Sequence, residues 1–154
     1  MGYSVSENCI GIIEHCEGFR ADAYPDPGTG DEPWTLGFGS TVVDGEKVTE
    51  GMTCTVEQAR QWVTDHLNEH VIPTLDKHVT VDLNQNQVDS LADFIYNVGS
   101  GNFLSSTLLK HVNAGEFDDA ANEFGKWTKG GGHVLPGLVI RRGLERDLFS
   151  RNPG

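Results

Sequence analysis

A helical run that stops at a carboxylate constrains this chain more than any other feature. Ile10, Ile13 and Cys16 recur three residues apart, the apolar spacing of an amphipathic helix. The run ends at Glu17-Gly18, where glycine suits the left-handed conformation that closes a helix. Tyr24 to Val48 is then dense in Gly, Pro, Asp and Thr, with short β-type runs at Trp34 to Phe38 and Ser40 to Val43. Asp44-Gly45 between Val42-Val43 and Lys47-Val48 is a hairpin signal. Together these predict a short helix followed by a small, irregular, twisted sheet.

The same stretch carries a candidate acid pair. Glu17 ends its helix where the negative pole of the dipole favours the neutral acid. Nine residues later Asp26 lies between Pro25 and Pro27, ahead of Gly28, in a turn that fixes its side chain. Thr35 follows at the start of a Gly-rich β segment. One carboxyl kept protonated and another kept ionised is the division of labour that glycoside hydrolysis requires.

Glu17-Gly18, Tyr24-Pro25-Asp26 and Thr35-Leu36-Gly37-Phe38-Gly39 resemble the phage lysozyme family, the T4-type muramidases of glycoside hydrolase family 24. Two departures stand out: a few extra residues within Thr29 to Pro33, and Ser40 where the family commonly has His. The second half carries its own resemblance, to the lambdoid-phage branch of that family. It lies in Tyr96-Asn97-Val98-Gly99 with Gly101-Asn102-Phe103, Ser106-Thr107-Leu108-Leu109, Trp127-Thr128 with Gly130-Gly131, and Arg141-Arg142 with Glu145-Arg146. The similarity runs from about Ile10 to Phe149.

Downstream periodicity is mostly helical. Thr55 with Gln58 forms a capping box opening a long helix, and Val56, Ala59, Val63, Leu67 and Val71 form its apolar stripe until Pro73 kinks or ends it. Asn84 with Gln87 caps a second helix, buried through Val88, Leu91, Ala92 and Ile95 and closed by Asn97-Val98-Gly99. Further helices are expected at Ser106 to Val112 and Phe117 to Trp127. A flexible loop is expected at Gly130-Gly131-Gly132, then a last helix from Gly137 to Phe149 facing inward through Leu138, Val139, Leu144 and Leu148.

With the resemblance, the expected fold is α+β and mainly helical, a lysozyme-like two-lobe domain spanning 1–154. A β-rich lobe at about 18–54, a connecting helix at 55–78, and a helical lobe from 1–17 and 79–150 make it up. At this length a chain buries roughly 70% of its unfolded surface. The resemblance implies a muramidase cutting the β-1,4 bond between N-acetylmuramic acid and N-acetylglucosamine. Glu17 would be the general acid, with Asp26 and Thr35 assisting a water. Tyr96, Asn97 and Arg142 are candidate substrate contacts, and Arg142 is alternatively a partner for Glu17 or a surface residue. Glu14, a turn before Glu17, is the competing acid. A lytic transglycosylase, which needs only the acid, and a non-catalytic cell-wall binding module are the alternatives.

The net charge of −12 leaves nothing to neutralise a phosphate backbone at large, which excludes nucleic acid as partner. Yet Lys126, Lys129, Arg141, Arg142, Arg146 and Arg151 gather near the C-terminal end, a local asymmetry suited to an acidic polymer. No run approaches the ~20 apolar residues of a membrane span, and no signal peptide is visible. Cys9, Cys16 and Cys54 are expected as free thiols. His66-Leu67-Asn68-Glu69-His70 matches a short zinc motif, but it sits beside an apolar stripe without an obvious third ligand, so no metal and no cofactor is expected. The expected partner is the peptidoglycan glycan strand, for a monomer without membrane anchor. It would stay in the host cytoplasm until a holin-like pore releases it.

Overall fold

The computed structural model describes residues 2–152; Met1, Pro153 and Gly154, the ends of the expected domain, lie outside the described residues. The chain divides into two compact units, residues 13–66 and residues 1–12 with 67–154. Both junctions fall within helical backbone: inside α1 (Glu7–Glu17), and where α2 (Val56–His66) passes into a π-helical turn, Leu67–Val71.

The smaller unit holds the β structure. After α1 come β1 (Arg20–Tyr24), β2 (Thr35–Gly37), β3 (Val42–Val43) and β4 (Glu46–Lys47). They form two antiparallel pairs, β1 with β2 and β3 with β4. Asp44 and Gly45 join β3 to β4 with φ of 50° and 82°, the paired positive values of the hairpin turn their sequence signals. Leu36, Val43 and Val48 form the core, with Ala23, Trp34, Met52, Cys54 and Trp62 packed around it. β1 has no counterpart in the sequence reading, because Arg20, Ala21, Asp22, Ala23 and Tyr24 lack the β-branched residues that mark strands. The Thr55–Gln58 capping box opens α2 as expected, with reciprocal bonds of 2.9 and 3.1 Å.

In the larger unit, α3 (Ile72–His78) continues from the π turn with Pro73 in its first turn. Proline lacks an N–H and its ring clashes with the carbonyl four residues back; the wider turn at Leu67–Val71 accommodates both. Then follow α4 (Gln85–Val98), α5 (Ser100–Leu104), α6 (Thr107–Asn113), α7 (Phe117–Glu123) with a 3-10 turn at Phe124–Lys126, a hairpin of β5 (Lys129–Gly130) and β6 (His133–Val134), and α8 (Pro136–Ser150). Asn84 and Gln87 cap α4 reciprocally. Phe94 is the aromatic hub, meeting Phe103, Phe124 and Trp127 edge-on at 6.4, 5.6 and 5.5 Å.

Two expectations fail here. The triple glycine is the turn of a hairpin rather than a loose loop: Gly131 and Gly132 take φ of 59° and 83°, and Gly130 backs onto Leu135, which a Cβ would meet at 2.6 Å. More consequentially, the buried face of α8 is Arg141, Arg142, Glu145, Leu148 and Phe149, while Val139 stands 48% exposed. Paired charges make this possible. Arg141 grips Asp93 through two bonds of 2.7 and 3.0 Å, and Arg142 meets Glu145 at 2.8 and 3.0 Å. Counting apolar residues alone cannot see a helix face whose charges neutralise one another indoors.

Candidate active site

Glu17 is the last residue of α1, and Gly18 follows at φ 71° with its N–H bonded to Glu14 O at 3.0 Å. That closure leaves the Glu17 side chain half-buried beside a tight turn. In the turn Leu36 and Ser40 exchange bonds of 2.8 and 2.9 Å around Gly37, Phe38 and Gly39. Gly39 lies directly behind the carboxyl: a Cβ there would stand 2.8 Å from Glu17 Oε1. Gly37 makes the equivalent close approach to α2, where a Cβ would meet that of Ala59 at 2.8 Å. Between them Phe38 is buried with its ring 5.5 Å from Phe19. Each glycine of the Gly-Phe-Gly run thus removes a clash, one toward Ala59 on the scaffold and one toward the Glu17 carboxyl. Sequence reading used these glycines as a pattern and missed Gly39 as part of the site. Glu14 is engaged elsewhere, 2.6 Å from Arg60 Nε.

Asp26 ends the link that begins at Gly18. Its backbone is pinned by bonds from its N–H to Asp31 O at 2.9 Å and from Gly30 N–H to its carbonyl at 2.7 Å. Oδ2 accepts the Thr29 N–H at 3.2 Å, so one carboxylate oxygen orients the side chain. Oδ1 carries no hydrogen bond among the described residues. The extra residues Thr29 to Pro33 close on themselves, Thr29 Oγ1 donating to Glu32 O at 3.1 Å.

Thr35 opens β2 opposite Tyr24, and Gly37 stands opposite Arg20. Four residues of β1 therefore span what two residues of β2 span. The surplus bulges toward Met52 and Cys54, to which Ala23 and Ala21 bond at 2.9 Å. Bulges re-aim side chains and often lie beside active sites. Because Leu36 enters the core, its neighbour Thr35 projects from the other face, and directly opposed residues share a face. Thr35 and Tyr24 thus stand together away from the core. Glu17, Asp26 and Thr35 all belong to the smaller unit.

Tyr96 and Asn97 lie half-buried in the last turn of α4. At 1% exposure the Arg142 guanidinium meets Glu145 and donates to Asn97 Oδ1 at 2.8 Å, over the Phe94 ring. It is an interior residue that braces Asn97, not a surface residue. Burial lowers its pKa, against the charge of Glu145.

The His66–His70 motif does not converge. The π turn alters the helical spacing, His66, Glu69 and His70 are all exposed, and His70 comes no closer than 3.9 Å to Glu69. Among the described residues, His111, Glu116 and Asp119 do present ligand atoms within 4.8 Å of one another. His111 Nδ1 is hydrogen-bonded to Glu116 Oε1 at 2.9 Å, and this surface cluster shares no element with Glu17, Asp26 or Thr35.

The profile of the family described as Phage lysozyme matches residues 14–145. The endolysin of Bacillus phage B103 is 42% identical over 146 residues, 95% of this chain and 54% of that protein. The endolysin of Salmonella phage P22 is 37% identical, covering 94% of this chain and 97% of its own. A crystal structure of a P22 lysozyme mutant superposes with a TM-score of 0.83 at 36% identity, covering 96% and 98% of the two chains. The chain spans about half the length of the Bacillus phage relatives it matches.

Proposed function

Since the chain belongs to the phage lysozyme family, we propose that it is an endolysin-type muramidase, hydrolysing the β-1,4 bond between N-acetylmuramic acid and N-acetylglucosamine in peptidoglycan. The observation that carries this reading is the placement of Glu17 and Asp26 at the two ends of one short link, the first backed by Gly39 and the second fixed through Oδ2. Glu17 gives its proton to the leaving glycosidic oxygen. Asp26, through its remaining oxygen, takes a proton from a water that attacks the anomeric carbon from the opposite side, and the Thr35 hydroxyl holds that water. Such an inverting displacement needs carboxyl groups ~6.5–9.5 Å apart, leaving room for the water.

The proposal extends to contact between the sugar and Tyr96 and Asn97, the latter offering its amide Nδ2 while Oδ1 is held by Arg142. It also extends to a monomeric enzyme used in host lysis and released through a holin-like pore. No described helix is long and apolar enough to cross a membrane.

Glu17→Gln and Asp26→Asn test the two roles separately. Losing the proton donor should lower kcat by about 10²–10⁴-fold, and Asp26→Asn should do likewise on normal glycan. Proton NMR of the first product formed should show inversion at the anomeric carbon. Retention would displace Asp26 from the base role, and anhydro sugars would identify a transglycosylase. Full activity of Glu17→Gln would remove the acid assignment altogether.

A further inference from the structure

We propose that Arg20, seated on the ring of Tyr24, reads a carboxylate of the substrate beside the Glu17–Asp26 pair. The inference rests on the muramidase reading and names a recognition residue for it.

Arg20 begins β1, three residues after Glu17 and six before Asp26. Its guanidinium carbon lies 4.3 Å from the centre of the Tyr24 ring. The bulge in β1 makes this contact possible: Arg20 and Tyr24 oppose Gly37 and Thr35, positions only two apart on β2. Residues two apart on a strand share a face, as do directly opposed residues. Arg20, Tyr24 and Thr35 therefore stand on one face, away from the Leu36 core.

Among the described residues, Arg20 is one of the basic side chains that no carboxylate claims. In a chain of 23 Asp and Glu against 11 Lys and Arg, Lys47, Arg60, Lys126, Arg141 and Arg142 each pair with a carboxylate. Arg20 is exposed and pairs with none among the described residues. Stacking on an aromatic face holds a guanidinium in one orientation while leaving its in-plane N–H groups to acceptors. That is a preformed fork for a carboxylate. Peptidoglycan is polyanionic and this chain carries a net charge of −12, so a local cation at the reacting strand offsets repulsion where it matters.

Muramic units offer carboxylates from two sources, the stem peptide where it is present and the lactyl group that removal of the stem frees. Three substrates separate them: intact peptidoglycan, glycan strands stripped of stems by an amidase so that the lactyl carboxylate is free, and stripped strands whose lactyl groups are capped as methylamides. Cleavage is measured for the wild type, Arg20→Gln and Arg20→Lys. Binding by co-sedimentation is measured in a Glu17→Gln background.

Arg20→Gln should raise KM by about tenfold or more, the scale of one charge-assisted bond, with kcat little changed and Arg20→Lys intermediate. The wild type should fall to the variant's level on capped strands. A difference seen on intact peptidoglycan, where the lactyl carboxyl is tied up in its amide to the stem, assigns the stem; one seen only on stripped strands assigns the lactyl group. Equal losses on all three substrates, a fall confined to kcat, or no loss anywhere would overturn the proposal. If the wild type cuts none of them, the muramidase reading falls, and the binding difference still decides whether Arg20 reads a carboxylate.

Discussion

Gly39 presents bare backbone, at φ 87°, to the carboxyl of Glu17, so closely that a methyl group there would sit 2.8 Å from Oε1 and 3.2 Å from Cδ. On the proposed acid role of Glu17, Gly39→Ala should therefore act on that carboxyl before it acts on the fold. Strain at a positive φ costs ~1–3 kcal/mol, while displacing a reacting group by an ångström costs about 10²-fold in rate. Cleavage assays and thermal melts on the same preparation check this: activity should fall far more than Tm.

Gly37 offers the contrast. Its missing Cβ clears Ala59 on α2 rather than the Glu17 carboxyl. Gly37→Ala should destabilise by about 1–3 kcal/mol through overpacking and strain. Residual activity per folded molecule should stay close to wild type. Urea unfolding and active-site-normalised rates give the two numbers.

Arg142 and Glu145 form a buried pair at 1% and 0% exposure. Removing only the cation leaves the buried Glu145 carboxyl without its partner, so Arg142→Met should cost ~3–5 kcal/mol. Replacing both, Arg142→Met with Glu145→Leu, should recover much of that loss. A double-mutant cycle in urea measures the coupling.

Much of this architecture was legible in the sequence because local chemistry and global fold agree. The Glu17-Gly18 stop, the Thr55 and Asn84 caps and the Asp44-Gly45 hairpin are short-range signals, each settled by one or two side chains. What sequence reading lost depends on distant partners. The face of α8 is set by Asp93 on α4, 48 positions before Arg141, and no helical period reveals such a pairing. β1 is a strand because β2 and the Met52–Cys54 segment supply its bonds, not because its residues favour extension. At the site, the glycine pattern was visible while its reason was not, since the Glu17–Gly39 approach exists only once the turn has folded.

Glu145 also sets a pH dependence. Burial first, then the hydrogen bond and negative charge of Asp93, push its carboxyl well above the usual range, against the nearby Arg142 and Arg141. The folded chain thus holds a proton at pH values where the unfolded chain has released it. The unfolded state binds fewer protons there, so stability falls as pH rises. This contribution is fully present below the ordinary glutamate range and is lost as pH climbs through Glu145's own titration. Glu145→Gln should flatten that part of the curve in unfolding experiments run across pH.

A digest of purified peptidoglycan, its products identified by mass spectrometry, decides the reading of Glu17 as the acid of a muramidase. Reducing-end muramic acid released by the wild type and absent with Glu17→Gln is the expected result. Equal release by both proteins, or no release by either, would contradict it.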